Sequence, residues 1–312
     1  MVVSGASFGD KMSPVSDTTN LAAMSAEADL YAHIKSMLYT TAPTYVIALI
    51  AFTAVGFQYA GQALSVQELV ELKTQLSNQF SIGIIPLVPL LVLLVLALRR
   101  VPAEPSMLAS IVAAIIIAVS LQDRYWVDVL NSLQGGYVSD TGVERIDELL
   151  TRGGIESMMW TMSLALIALA LGGLLDKAGF VRVLLSGFLA RIKRSASLVT
   201  TTISSGVILN MSMGEGYLSI IFGGQIFRES FKADGMEKHM LSRCLEEGAT
   251  LSTSLIPWTT SGAFCMGALG ISALDYAPWA FFNYINPLLS IILAYMGFGI
   301  FCLLYTSDAA DE

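Results

Sequence analysis

Charge is what this chain of 312 residues has least of: Asp, Glu, Lys and Arg make up 13% of it, roughly half the share in a soluble globular protein. The 17 Lys plus Arg and 25 Asp plus Glu are also clumped. They leave charge-free stretches at 36–67, 74–98, 105–122, 157–175, 195–214, 216–227, 248–274 and 276–307, more than half the chain. A crossing of the hydrocarbon core takes roughly 20 mostly apolar residues. Scarce charge therefore excludes a soluble enzyme and a nucleic-acid binder, and 54% hydrophobic residues with a mean hydropathy of +0.66 predict an all-α polytopic membrane protein with the lipid bilayer as its main partner. Histidine is nearly absent: His33 and His239 lie far apart, which argues against a metal centre. The three cysteines, Cys244, Cys265 and Cys302, have neither disulfide nor metal spacing and read as small buried side chains. A basic, then apolar, leader is missing too, since Met1-Val2-Val3 runs straight into small polar residues.

Four stretches read as ordinary spans: 37–58, 82–98, 105–121 and 157–175. Arg99 and Arg100 join the second to the third, an acidic loop at 122–156 follows, and Lys177, Arg182, Arg191, Lys193 and Arg194 come after the fourth. Counting only Lys and Arg near the span ends puts both basic links in the cytoplasm and the acidic loop outside. The charges of 228–247 read as a solvated amphipathic connector.

Segments 195–214 and 248–274 are a different kind of charge-free stretch. Each carries eight Ser or Thr, where 82–98 carries none, and each is interrupted by Gly or Pro. Irregular backbone at membrane depth is tolerated only where protein buries it or water lines it, and such segments form the sites of transporters. The competing explanation is hydroxyls bonded back onto helix carbonyls or packed between small faces. A third segment of this kind opens the chain. Gly5-Ala6-Ser7-Phe8, then Met12, Pro14, Ser16 and Thr18, recurs 243 positions later as Gly248-Ala249-Thr250-Leu251, then Leu255, Pro257, Thr259 and Ser261, and Pro43 pairs with Pro287 at an offset of 244. The match predicts an inverted-repeat secondary transporter with discontinuous or re-entrant helices: one transmembrane domain over 1–301, with 1–60 as the C-terminal half of a first repeat whose front half is missing, 61–155 as connecting spans, and 156–301 as the second repeat.

Three polar centres are the candidate ion- and proton-binding site. The first is Asp10, Ser13, Asp17, Thr18, Thr19 and Asn20 around Pro14, an oxygen-rich patch suited to a hard cation, in which a desolvated carboxylate exchanges a metal ion for a proton; alternatively Asp10, Lys11 and Asp17 are solvated loop charges. The second is Asn210, Ser212 and Glu215, the only charge between Arg194 and Arg228, with N-capping of a half-helix as the alternative for Glu215. The third, Thr250, Ser252, Thr259 and Thr260, offers neutral oxygens only. Na+ is assigned to Asp17, Asn210 and Glu215.

The string SGASFGDKMSPVSDTTNLA resembles the signature of the NhaC-type Na+/H+ antiporter family, within the ion-transporter superfamily. The residues around Asn210, Glu215 and Tyr217-Leu218-Ser219, and Leu255-Ile256-Pro257-Trp258 with Gly262-Ala263-Phe264, are similar to its later signature regions. The resemblance implies a multi-pass protein of the bacterial inner membrane that exchanges cytoplasmic Na+ or Li+ for external H+, without catalysis and without a cofactor, either alone or as a homo-oligomer. Relatives of similar sequence exchange small organic anions or amino acids, malate for lactate among them, and this is the alternative. An intramembrane aspartyl protease fits poorly, because Asp10 and Asp17 are only seven residues apart. The resemblance also implies an N-terminally truncated fragment, and residues 302–312 read as a non-native tail similar to a translated sequencing adapter.

Overall fold

The computed structural model describes all residues except 15, 60–69, 71, 72, 75, 78, 79, 100, 123, 141, 143–145, 148, 149, 152, 180–182, 184–193 and 303–312. Arg100, Arg182, Arg191 and Lys193 of the two basic links, and most of the tail at 302–312, therefore lie outside the described residues. The described residues form helices and no strand beyond one isolated bridge, Met236 to Cys302. In chain order the helices are α1 (Val2–Met12), α2 (Asp17–Ser25), α3 (Leu30–Tyr59), α4 (Val88–Leu98), α5 (Ala103–Leu121), α6 (Trp126–Gly135), α7 (Met159–Lys177), α8 (Ser195–Met213), α9 (Gly216–Ala233) and α10 (Lys238–Leu245). A π-helical turn, Glu246–Thr250, leads on to α11 (Leu251–Thr253), then α12 (Thr260–Leu269), α13 (Ala273–Tyr276) and α14 (Phe281–Tyr295).

The chain divides into two compact units, Phe57–Trp160 and the remainder. In the Phe57–Trp160 unit, α4 and α5 lie side by side, pinned where Ser110 Oγ donates to the Pro89 carbonyl at 2.8 Å. Leu90, Leu91, Leu94, Met107, Leu108, Ile111 and Ile116 are exposed, an apolar surface of the kind that suits the hydrocarbon core of a bilayer.

The larger unit contains the buried polar chemistry. Its core gathers Val199 and Ile203 of α8, Ile220, Phe227 and Phe231 of α9, and Met240, Leu241 and Leu245 of α10. Glycine lets α8 and the π-helical turn touch backbone to backbone: a Cβ on Gly206 would fall 2.7 Å from the Ala249 nitrogen, and one on Gly248 2.5 Å from the Ile203 carbonyl oxygen. Small residues at such contacts are the usual means of close helix approach in a membrane. Helices Leu30–Gln58 and Glu104–Leu121 are long and apolar enough to cross a bilayer, as is the pair Ala273–Trp279 plus Phe281–Tyr295, which is bent by 55°. The first of these begins earlier than the charge pattern predicts, because Lys35 does not interrupt the helix.

Candidate ion-binding site

Three helix interruptions build the site. The first separates α1 from α2. Pro14 has no backbone N–H to continue a helix, Ser13 leaves the helical region with φ −88° and ψ 125°, and Ser16 caps α2 by accepting from the Thr19 nitrogen. Carbonyls freed at the break are taken up locally: Thr19 Oγ1 lies 3.2 Å from the oxygens of both Asp10 and Lys11. Asn20 Nδ2 donates to the Pro14 oxygen at 2.9 Å and to the Ser16 oxygen at 2.6 Å.

The second interruption separates α8 from α9. Gly214 adopts φ +69°, which closes α8, and Glu215 is extended and caps α9, its Oε1 accepting from the Tyr217 nitrogen at 3.3 Å. The third separates α11 from α12 around Pro257. Thr259 caps α12, its Oγ1 accepting from the Gly262 nitrogen at 3.1 Å and turned toward the carbonyls of Thr253 and Ile256. Ser16 and Thr259 are 243 residues apart and perform the same cap. The Thr260 nitrogen donates to the Gly214 oxygen at 3.1 Å, tying the third break to the second.

All three breaks face a cavity of about 440 Å³. Its wall includes Asp10, Thr18, Glu215, Thr250 and Thr260 of the predicted set, together with Ser7 and Thr253. Ser7 and Thr250, Asp10 and Thr253, and Thr18 and Ser261 are pairs at the 243-residue offset, and both members of each pair line the cavity. Asp10 accepts from Ser16 Oγ at 2.7 Å through Oδ1, and its Oδ2 lies 3.2 Å from Thr18 Oγ1. Among the described residues, no Lys, Arg or His lines this cavity.

The other predicted residues do not line it. Asp17 is exposed and accepts from the Tyr217 hydroxyl at 2.5 Å, and Tyr217 itself belongs to the wall. Asn210 is fully buried and donates to the Ala249 oxygen at 2.6 Å and to Ser252 Oγ at 2.7 Å, while its own Oδ1 has no hydrogen-bond partner. Ser212 donates back to the Ile208 carbonyl at 2.9 Å, and Ser252 to that of Gly248 at 2.6 Å. Ser13, Thr19, Asn20 and Thr259 shape the breaks behind the wall. Asp17, Asn210 and Glu215, the set assigned to Na+, share no hydrogen bond with one another.

One expectation is corrected outright. The stretch 228–247 is not wholly a solvated connector: Arg243 is 1% exposed, and Glu246 and Glu247 are both 0% exposed. The π-helical turn directs them inward against the first break. Lys11, also fully buried, lies 3.5 Å from Glu247 Oε1 and donates to Asn286 Oδ1 at 2.6 Å. Thr40 Oγ1 donates to the same Glu247 oxygen at 2.5 Å, and Arg243 Nε stands 4.0 Å from it. Glu246 touches two of the centres: its Oε1 lies 3.3 Å from Thr18 Oγ1 of the first, and its carboxylate hydrogen-bonds to Thr250 of the third. The dense charge of 228–247 masked the pair in the sequence. The usable signal was position, since Glu246-Glu247 directly precede Gly248, where the repeated string begins.

A family model described as the Na+/H+ antiporter family matches residues 5–298. The chain is 38% identical over 303 residues to the Na+/H+ antiporter NhaC of Alkalihalophilus pseudofirmus, covering 96% of this chain and 64% of that protein. It is 37% identical to the NhaC of Bacillus subtilis, covering 95% of this chain and 65% of the relative. To the malate-2H+/Na+-lactate antiporter of Bacillus subtilis it is 33% identical, covering 95% of this chain and 63% of the relative. The chain thus spans just under two thirds of the length of these curated relatives. No solved structure matches it.

Proposed function

The chain belongs to the Na+/H+ antiporter family, and on that premise we propose that it exchanges cytoplasmic Na+ or Li+ for external H+ across a bacterial inner membrane. The observation that carries this reading is the cavity wall, which presents the carboxylates of Asp10 and Glu215 and several hydroxyls, with no basic side chain among the described residues. Hard monovalent cations take oxygen ligands, and a carboxylate away from bulk water binds a cation or a proton but not both. Competition at one site is the simplest basis of exchange. The two segments related by 243 residues are then copies of one repeat, with the site at their interface and alternating access by movement of one copy against the other.

A second reading, exchange of small carboxylates, draws on the cavity volume. About 440 Å³ falls in the range of small-molecule pockets, roughly 300–1,000 Å³, and the malate-2H+/Na+-lactate antiporter is a relative. The two readings separate in everted vesicles from an antiporter-deficient host, using a chimera in which residues 5–298 replace the matching segment of the Bacillus subtilis NhaC. The first reading expects Na+ or Li+ to collapse a preformed pH gradient. No response to either cation, together with uptake of malate or lactate, establishes the second.

A further inference from the structure

We propose that Glu246 is a cation ligand of this site, and that Asp10, Thr18, Glu246 and Thr250 form a deep subsite for one Na+ or Li+. The inference rests on the cation-exchange reading above and adds to it a residue outside the cavity wall. A hydroxyl carries a single proton to donate. Yet Thr18 Oγ1 lies 3.2 Å from Asp10 Oδ2 and 3.3 Å from Glu246 Oε1, so when both acids are ionised one carboxylate oxygen faces its lone pair. A cation held by both carboxylates and by that lone pair removes the conflict.

Two further oxygens stand ready to complete the shell. Glu246 Oε2 and the hydroxyl of Thr250, four residues further along the same π-helical turn and part of the cavity wall, are buried facing each other, and neither has another hydrogen-bond partner. Buried polar atoms are nearly always satisfied, and π-helical turns concentrate at functional sites. The charges agree. Lys11 is committed to Glu247 and Asn286. Arg243 donates to the carbonyls of Ser36 and Gly299 and stands beside Glu247. Lys11 and Arg243 therefore face three carboxylates, Asp10, Glu246 and Glu247, and one monovalent cation, Na+ or H+ in turn, brings these five groups to neutrality. Glu247, flanked by both basic groups, is the better compensated acid; Glu246 feels Lys11 as well but makes no ion pair with it among the described residues.

The test is equilibrium binding of radioactive Na+, with Li+ as competitor, to the purified chain in detergent. Glu246→Gln should weaken binding at least a hundredfold, and Glu246→Asp should recover part of it. Thr250→Ala, which gives up only the contact with Glu246, should weaken binding about tenfold, the loss of one ligand. A folded Glu246→Gln protein that binds Na+ as the parent does overturns the proposal, as does absence of Na+ binding in the parent. Should Glu246→Gln fail to fold, parental affinity in Thr250→Ala overturns it. Binding lost in Glu246→Gln alongside a chimera without antiport keeps the subsite and removes the exchange reading; antiport with binding indifferent to Glu246 does the reverse.

Discussion

The α1–α2 break and the break between α11 and α12 use the same backbone device, proline followed by a hydroxyl cap, but distribute their charge differently. In the first segment Asp10, Lys11 and Asp17 flank the break, whereas the positions 243 residues on are Thr253, Ser254 and Thr260. In the second segment the acids sit ahead of the break, at Glu246 and Glu247, where the first has Val3 and Ser4. Neither segment alone holds both sets of charges. Asp10 of one meets Glu246 of the other through Thr18, and Lys11 of one meets Glu247 of the other. A shared backbone thus supports a chemically asymmetric centre, in which one contact organises ligands and the other compensates charge.

That asymmetry is most easily broken at Lys11–Glu247. Glu247→Gln takes the paired carboxylate from buried Lys11 and should cost about 3–5 kcal/mol, read as a large drop in unfolding midpoint in detergent; Lys11→Met should cost less, because Arg243 Nε remains 4.0 Å from Glu247. Replacing both residues together should cost less than the sum of the single changes. The glycines that open the two matching strings differ next. A Cβ at Gly248 meets the Ile203 oxygen at 2.5 Å, whereas one at Gly5 meets nothing within 4 Å. Gly248→Ala should therefore destabilise by about 1–3 kcal/mol, while Gly5→Ala should be neutral or gain up to about 1 kcal/mol of helix propensity. The caps come third: Thr259→Ala and Ser16→Ala should each cost about 1 kcal/mol. The Thr259 cap bond is the shorter, 3.1 Å against 3.5 Å, but Ser16→Ala also removes the 2.7 Å bond to the Asp10 carboxylate and should cost at least as much. Smallest of all, Ser212→Ala removes only a bond back to the Ile208 carbonyl and should shift stability by less than about 0.5 kcal/mol.

Much of this was legible in residue chemistry. Scarce charge marks the membrane class, Pro14, Gly214 and Pro257 mark the three interruptions, and Asp10, Thr18, Glu215, Thr250 and Thr260 all reach the cavity. The burial of Glu246 and Glu247 was not legible. A run of mixed charges looks alike whether water or protein surrounds it, and the π-helical turn that begins at Glu246, next to the close Gly206–Gly248 approach, is visible only in the fold. Lys11 was hidden for a related reason: beside Asp10 in sequence it resembles a solvated pair, whereas its partners are 236 and 275 residues away.

The central claim is that the carboxylates lining the shared cavity exchange a cation for a proton. Its most direct measurement is Na+-driven collapse of a preformed pH gradient in everted vesicles carrying the chimera, compared with Asp10→Asn and Glu215→Gln at equal membrane content. The account predicts a robust Na+ or Li+ response that both substitutions abolish. A full response in both variants would contradict it.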